Sequence, residues 1–208
     1  MSEEAELVPR TQKERKAATV AKLVNATIDT IVELGYHKTS LSAICERAGV
    51  SQGGLFRHFS TRTALIIAAA EQVNIRLTIA FMKNFQSRDE SLDLVSTGVE
   101  LVSGVMYSPE QAVWHELMVA ARTDPELCSA IAEQEGKLNK EMSAIANSLA
   151  TSLGLDIDMI LAAVHLGIRC FDGLALARCL QTDSSEDEAI KALLIKLGRT
   201  EIGEITGF

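Results

Sequence analysis

The segment that decides the fold lies at residues 39–62 and reads TSLSAICERAGVSQGGLFRHFSTR. It predicts two short helices, Leu41–Ala48 and Gln52–His58, each preceded by a serine that can cap it and separated by a tight turn at Gly49. Two short helices joined in this way form a helix-turn-helix. Because nucleating a helix is costly, both need packing partners from neighbouring helices. The side chains predicted to supply this packing are Leu41, Ile44, Cys45, Ala48, Val50, Leu55 and Phe59.

The rest of the chain also predicts helices, which makes the expected fold class all-α with nine helices. Apolar residues recur at steps of three and four, and no segment alternates with the period of a strand. We expect a disordered tail at 1–10, a helix-turn-helix domain at 11–62 and a larger helical domain at 63–208. The helices predicted outside the helix-turn-helix are 13–34, 60 or 61–85, 90–107, 109–122, 125–153, 156–180 and 185–199, the last with a capping box of Ser185 and Glu188.

Charge divides the chain at the same place. Residues 10–62 carry nine Lys or Arg and four Asp or Glu, whereas residues 63–208 carry 11 and 21. A basic end on a chain of net charge -8 is expected where one part of a protein meets phosphates. Chance clustering of charge is the alternative, so charge alone does not decide the partner.

The cysteines and the apolar runs bear on compartment and cofactors. The chain opens with an acidic, polar stretch instead of a signal peptide. No uninterrupted apolar run reaches the ~20 residues that cross a bilayer. We therefore expect reduced thiols in a cytoplasmic protein, with no cofactor, no metal and no membrane partner. The cysteines, which show no metal-type spacing, are Cys45, Cys128, Cys170 and Cys179.

The third predicted helix presents an outward face made of Gln52, Gly53, Phe56, Arg57 and His58. Gly53 and Gly54 are unusual, because a glycine inside a helix costs about 1 kcal/mol relative to alanine. The functional interpretation is that the missing side chains let the helix N-terminus approach a nucleic-acid groove and a phosphate. The alternative is a flexible turn. Gln52 has the amide geometry that reads adenine edges, and Arg57 could read guanine or bind a phosphate.

Two stretches of this sequence resemble the TetR family of bacterial regulators. Leu23 through Gly35-Tyr36-His37-Lys38-Thr39-Ser40-Leu41 is similar to the first helix of that family and its exit. The family's helix-turn-helix resembles Ile44-Cys45-Glu46-Arg47-Ala48-Gly49-Val50-Ser51 followed by Gly53, Leu55, Phe56, His58, Phe59 and Leu65. The resemblance spans residues 23–65, and it implies a sequence-specific DNA-binding regulator of transcription. The domain at 11–62 would bind DNA, and the domain at 63–208 would bind a ligand and dimerise.

The resemblance also implies roles for single residues. The residues that would bind phosphates are Ser40, His58 and Arg62. Those that would lie in the major groove are Ser51, Gln52 and Gly53. Two positions depart from the family. Phe56 replaces the usual phosphate-binding tyrosine, and Arg62 replaces the usual lysine, which preserves the charge. Cys45 stands where alanine is common; we interpret it as a core residue, with a redox switch as the alternative.

The eighth predicted helix resembles the dimer contact of the family at Phe171-Asp172-Gly173-Leu174-Ala175-Leu176. It is apolar nearly all round, so it should be buried on two sides, one against the body and one against a partner subunit. The ninth helix has a matching stripe, which predicts a four-helix interface in a homodimer and hence a palindromic operator. The residues predicted at this interface are Gly167, Phe171, Leu174, Ile190 and Leu194.

A small-molecule effector is expected in a cavity enclosed by the fifth to eighth helices. The candidate lining residues, each with plain core packing as the alternative, are Phe81, Phe85, Met106, Trp114, Met118, Met142 and His165. His165, Arg169 and Asp172 form a polar line along the eighth helix. This line would either bind a polar group of the ligand or form structural ion pairs.

The expected function is that of a ligand-responsive repressor that binds double-stranded operator DNA as a homodimer. An enzyme is not expected, because the histidines are scattered and no nucleophile or phosphate-loop motif is present. The alternatives are an activator, a nucleoid-type DNA binder, or a helical small-molecule-binding enzyme with a DNA-binding head.

Overall fold

A computed structural model describes residues 11–87, 91, 93–180, 183 and 185–206. Within this part of the chain the backbone forms nine α-helices and one 3₁₀ turn, with no β-strand. The predicted all-α class is therefore confirmed. The tail predicted at 1–10 lies outside the described residues. The chain forms two compact units divided between Ala69 and Ala70, whereas the sequence prediction divided it after Arg62.

The first unit contains α1 (Gln12–Leu34), α2 (Leu41–Ala48), α3 (Gln52–Phe56) and the start of α4 (Arg62–Gln86). Thr11 begins α1 in a capping box with Glu14, and Gly35 ends it with a φ of 77° that favours glycine. Ile44 of α2 and Leu55 of α3 are completely buried, as are apolar side chains of the two long helices. The side chains most completely excluded from solvent in this unit are Leu23, Ile28, Ile31, Ile44, Leu55, Leu65 and Ile66.

The third helix is shorter than predicted and ends at Phe56 rather than His58. The N–H groups of His58 and Phe59 both turn back to the carbonyl oxygen of Leu55, at 2.8 and 3.0 Å. A carbonyl that accepts both of these groups ends the regular hydrogen-bond ladder of the helix in a tighter turn. The chain then leaves α3 towards α4 within a few residues.

The second unit contains the rest of α4, α5 (Leu94–Met106), α6 (Pro109–Ala121), α7 (Pro125–Leu153), α8 (Ile157–Ala177), a 3₁₀ turn (Arg178–Leu180) and α9 (Ser185–Thr206). Four of these helices begin after a short polar side chain that accepts backbone N–H groups: Asp93, Ser108, Asp124 and Asp156. Such caps satisfy donors that have no partner inside the helix. The predicted helix starts at Pro109 and Pro125 are confirmed.

The start of α5 differs from the sequence prediction. Asp93 accepts hydrogen bonds from the N–H groups of Val95 and Ser96, each at 3.1 Å, so the helix begins at Leu94. Glu90, where the start was predicted, lies outside the described residues. A carboxylate that can accept two N–H groups makes a strong cap, and this explains the later start.

The cap and the C-terminal end of α9 also differ from the prediction. The helix runs to Thr206 rather than stopping near Arg199, and its first residue is Ser185 itself. The predicted capping box of Ser185 with Glu188 is therefore wrong. The Asp183 carboxylate instead accepts hydrogen bonds from the N–H and the hydroxyl of Ser185, at 2.9 and 2.6 Å.

The core of the second unit contains two residues that were predicted at a dimer contact. Phe171 and Leu174 are 0% and 7% exposed, and they pack with Val105 and Met106 of α5 inside the same protomer. Their side chains face inward, so they are not available to a partner subunit. The half-buried apolar side chains packed against this cluster are Ala80, Phe81, Val99, Val102, Ile168, Ile190 and Leu194.

Helices α8 and α9 leave other apolar side chains in solvent. Leu166, Leu176, Leu193 and Leu197 are each more than half exposed. By length and composition alone, α4 and α8 are apolar enough to cross a membrane, although the sequence shows no uninterrupted apolar run of that length. Long apolar helices of this kind also form the cores of soluble proteins, so the property is weak evidence for a membrane.

Polar contacts hold α9 against α5 at both ends. Arg199 donates to the Asp93 carboxylate through Nε at 3.2 Å, and this bond is the main cause that lowers the pKa of Asp93. At the other end the hydroxyl of Tyr107 donates to Asp187 at 2.8 Å. Burial and this hydrogen bond raise the pKa of Tyr107 to about 12. Between these contacts Gly198 faces Val95, where the two helices come close together.

Replacing Gly198 with alanine should destabilise the second unit. An added Cβ would lie 2.6 Å from Cγ1 of Val95, so the Val95 side chain or one of the two helices must shift. Overpacking of this kind costs roughly 1–3 kcal/mol, which exceeds the gain of about 1 kcal/mol in helix propensity. Urea unfolding measures the change. Gly136→Ala is the matched control, because nothing lies within 4 Å of its added Cβ and it should stabilise α7. Equal stabilisation by both variants would contradict this packing.

Candidate nucleic-acid interface

The structure places most of the predicted DNA-contacting face on the surface of α3. Ser51 caps the helix by accepting from the N–H of Gly54 at 3.1 Å. Gln52, Phe56 and Arg57 are exposed, while Leu55 on the opposite side is completely buried. One side of α3 is thus anchored in the core of the first unit, and the other presents an amide, an aromatic ring and a guanidinium to solvent.

The two adjacent positions of α3 are occupied by glycine for different physical reasons. A Cβ on Gly54 would lie 3.0 Å from Cγ1 of Val50 and 3.3 Å from Oγ of Ser51, so this glycine lets the turn pack closely on the helix. A Cβ on Gly53 would meet nothing within 4 Å, and this residue is exposed. Packing inside the protein therefore explains why a glycine stands at position 54, but it does not explain the glycine at position 53. The bare surface at Gly53 agrees with close approach of an external partner.

Two other residues predicted to bind phosphates lie at helix boundaries. Ser40 is exposed and caps α2, where its hydroxyl accepts from the N–H of Ala43 at 3.1 Å. The same hydroxyl still has its proton to donate to an anion. His58 is half-buried, and its Nδ1 is shielded from solvent without a hydrogen-bond partner. If His58 binds a phosphate, the contact must therefore be made by Nε2.

Arg62, the third predicted phosphate ligand, is directed towards its own protein. Its guanidinium donates to the carbonyl oxygens of Tyr36 and Thr39 and to the hydroxyl of Tyr36, at 3.0–3.3 Å. Its Cζ also lies 4.5 Å from the centre of the Tyr36 ring. Neither Tyr36 nor Thr39 was predicted to have a role, and no pattern of apolar spacing indicates such contacts to backbone carbonyls.

A buried polar cluster in the second unit joins α6, α7 and α8. The Asp172 carboxylate accepts from Gln111 at 3.1 Å and pairs with Nε2 of His115 at 2.8 Å. Arg169 donates to Asp172 at 3.1 Å and to Glu135 at 2.7 Å. Of the two interpretations of the polar line on α8, the described geometry favours structural ion pairs for Arg169 and Asp172.

Competing effects act on the Asp172 carboxyl. Burial by itself raises its pKa, but the hydrogen bond and charge of His115, followed by those of Arg169, outweigh burial. The net pKa of Asp172 lies below its usual value. The carboxylate is therefore the favoured form in the folded protein, and it holds α6 and α8 together through charged hydrogen bonds.

The predicted effector-binding residues do not share one environment. Phe81 and Met106 belong to the core cluster around Phe171, and Trp114 is 8% exposed. Phe85 and Met118 are half-buried. His165 is exposed on α8, so its side chain does not line the interior of the protomer. The side chain of Met142 lies outside the described residues.

The fold and the exposed face of α3 define a helix-turn-helix DNA-binding regulator of transcription. The family model "Bacterial regulatory proteins, tetR family" matches residues 23–69. The uncharacterized HTH-type transcriptional regulator Rv2912c of Mycobacterium tuberculosis is 34% identical over 169 residues, which cover 81% of this chain and 87% of that protein. The chain belongs to the TetR family of bacterial regulatory proteins.

Solved structures share the fold over most of the chain. GusR of Salmonella enterica matches with a TM-score of 0.65 and 23% identity, covering 89% of this chain and 94% of that one. The multidrug binding protein EbrR, complexed with imidazole, matches with a TM-score of 0.61 and 20% identity, covering 86% and 93%. The predicted family and fold are confirmed by these comparisons.

The glycine pair of α3 yields a matched test of close approach. Gly53→Ala should leave the thermal stability unchanged or slightly higher, because its Cβ points into open space. It should weaken binding to duplex DNA by about tenfold, comparable to the loss of one base contact. Gly54→Ala should lower the melting temperature instead, because Val50 and Ser51 must move. If Gly53→Ala bound DNA as tightly as wild type, the inference that DNA approaches α3 closely at Gly53 would be wrong.

The buried carboxylate predicts a particular pH dependence of stability. A carboxyl with a lowered folded pKa stabilises the protein above its usual pKa of about 3.9, and this contribution is lost as pH falls through the folded value. Asp172→Asn should therefore be less stable at neutral pH by roughly 2 kcal/mol, from the lost charged hydrogen bonds. The difference from wild type should narrow towards pH 3 in urea unfolding. Asp158→Asn, exposed on the same helix, is the control; an identical acid profile for Asp172→Asn would contradict the ion pairs.

Proposed function

We propose that this regulator is a ligand-responsive, cytoplasmic repressor that acts as a homodimer on a palindromic operator. The observation that carries the proposal is the exposed face of α3, where Gln52, Phe56 and Arg57 surround the bare surface at Gly53. This face belongs to a segment with excess positive charge, which favours contact with phosphates. Rv2912c and CymR of Pseudomonas putida, which this chain resembles, are named HTH-type transcriptional regulators, and this supports regulation rather than catalysis.

In the proposed complex, α3 lies in the major groove. Gln52 donates to and accepts from an adenine edge, while Ser51 and Gly53 lie against the groove. Ser40 and His58 bind phosphates on either side. Phe56 cannot donate a hydrogen bond to a phosphate, so its contact is apolar. Arg57 has two candidate targets, a guanine edge or a phosphate, which differ in their effect on base preference and on salt dependence.

The proposed dimer uses the exposed apolar surface of α8 and α9. Four leucines that remain in solvent on the protomer would be buried against the same helices of a second copy: Leu166, Leu176, Leu193 and Leu197. The half-buried residues Gly167, Ile190 and Leu194 can add their exposed atoms, whereas Phe171 and Leu174 support the surface from inside. A two-fold interface of this kind would place two copies of α3 on successive major-groove faces of the DNA.

An effector is proposed to bind in the second unit among apolar side chains. Among the predicted lining residues, the side chains of Phe81, Phe85, Met106, Trp114 and Met118 would supply contacts to the apolar part of a small molecule. The wild-type protein would then exchange between states that differ in the spacing of their DNA-binding heads. An effector that binds the wrongly spaced state more tightly would release the operator.

Selection of duplexes from a random pool tests the proposed operator binding. We expect wild-type protein to enrich a palindrome whose half-sites are about one helical turn apart, near 34 Å. Its affinity should fall steeply with salt, because phosphate contacts release counterions. Gln52→Ala should lose preference at one base pair of each half-site, costing about 1–3 kcal/mol, without changing the salt dependence. Enrichment of no common sequence would favour a nucleoid-type binder instead.

The same experiment can assign Arg57 and the dimer surface. Arg57→Ala should lower the salt slope by about 0.9 if Arg57 binds a phosphate, or lose a guanine preference if it reads a base. Leu197→Glu should give a monomer in analytical ultracentrifugation that no longer prefers the palindrome. Val119→Glu, on a residue of similar exposure in α6, should remain dimeric. A dimeric Leu197→Glu protein would place the interface elsewhere.

A further inference from the structure

We propose that Arg62 is a positioning residue of the helix-turn-helix, which holds the segment before α2, and that it does not bind a DNA phosphate. The inference rests on the proposed operator binding, because the segment it holds leads directly into Ser40 and α2. It departs from the role that the family resemblance implies at this position, where a lysine is usual. The reason lies in the partners that surround the guanidinium.

Among the described hydrogen bonds, the segment from Gly35 to Ser40 supplies no donor of its own to the carbonyl oxygen of Thr39. The hydroxyl of Thr39 donates to the carbonyl oxygen of Gly35 at 2.8 Å, and its N–H donates to the carbonyl oxygen of Tyr36 at 3.2 Å. Thr39 is only 2% exposed, so its own carbonyl has little access to water. A buried carbonyl without a donor is costly, and an external donor is needed here.

Arg62 supplies that donor from the first residue of α4. Its Nε and Nη2 donate to the carbonyl oxygen of Thr39 at 3.3 and 3.2 Å, and Nη2 also donates to that of Tyr36 at 3.0 Å. Its Nη1 donates to the Tyr36 hydroxyl at 3.0 Å, and the guanidinium lies over the Tyr36 ring. Four of the five N–H donors of an arginine are engaged in this way. A phosphate could use at most the one remaining N–H unless it displaced these contacts.

Lysine could not replace these contacts. Its ammonium is a compact charge with three donors and no plane, so it cannot span two carbonyls and stack on a ring together. Arg62→Lys keeps the charge that a phosphate would need, but it loses the geometry that the Tyr36 and Thr39 carbonyls need. The lysine variant therefore separates a positioning role from a phosphate-binding role.

The held segment determines how α2 begins. Thr39 immediately precedes Ser40, whose hydroxyl caps α2 through the N–H of Ala43. At the far end of α2 the N–H of Val50 donates to the carbonyl oxygen of Cys45 at 3.0 Å, and the chain continues into α3. Releasing the start of α2 should thus loosen the orientation of α3 without removing any group that touches DNA.

The test compares Arg62→Lys and Arg62→Ala with wild type in the full-length protein. The probe is the duplex enriched by the wild-type protein. We expect both variants to lose affinity by a similar factor, on the order of tenfold, as expected for the loss of charged hydrogen bonds. The slope of affinity against salt should stay that of wild type. Amide hydrogen exchange without DNA should become faster at residues 36–43 in both variants, and this readout remains informative even if no operator is enriched.

A phosphate-binding Arg62 would give the opposite pattern. Arg62→Lys would bind like wild type, and Arg62→Ala would lower the salt slope by about 0.9. Either result, or unchanged exchange at residues 36–43, overturns the proposal. Tyr36→Phe is the milder variant if the arginine changes unfold the head. It removes one acceptor of Arg62, so it should accelerate exchange in the same segment and weaken binding at constant salt slope, whereas unchanged exchange overturns the proposal.

Discussion

The orientation of α3 depends on the burial of one side chain, Leu55. A helix of five residues has almost no stability of its own in water, because nucleation is barely repaid over one turn. Leu55 is completely excluded from solvent, in a unit whose core also contains Leu23, Ile44 and Leu65. Everything on the opposite side of α3 takes its position from that anchor, so DNA recognition begins in the hydrophobic core of the first unit.

Three further features, besides the burial of Leu55, restrain the orientation of α2 and α3. Gly49 turns the chain out of α2 with a φ of 64°, a left-handed conformation that few other residues adopt easily. Gly54 lets Val50 lie close against α3. Arg62 reaches back from α4 to the carbonyls before α2. The short helices are thereby restrained at the start of α2, at the turn and at the core.

In the second unit a charged cluster is buried, whereas several apolar side chains are exposed. Asp172 lies inside, where His115, Gln111 and Arg169 compensate for its burial, while leucines of α8 and α9 lie outside. A buried carboxylate with charged partners ties helices together, and an exposed apolar surface is stable only when something covers it. The proposed dimer gives those leucines a partner and leaves the ion pairs with a structural role.

Several features could be read from local sequence because their physical causes are local. Helix periodicity and the caps at Ser40, Ser51 and Ser108 depend on neighbouring residues, and the structure has each of these caps. The capping box predicted for α9 was wrong because the hydroxyl of Ser185 donates to the carboxylate of Asp183, a contact that the spacing of Ser185 and Glu188 does not reveal. The side of α8 that holds Phe171 was also missed, since a helix that is apolar nearly all round does not reveal which face meets its own core.

The sequence alone determined the helical class, the helix-turn-helix and the family, because spacing, caps and turn glycines act over a few residues. Only the tertiary structure decided where Arg62 points, which glycine of the pair is needed for packing, and which leucines remain in solvent. Those outcomes depend on atoms brought together from positions far apart in the chain, such as Arg62 and Tyr36. Local patterns carry no information about such distances.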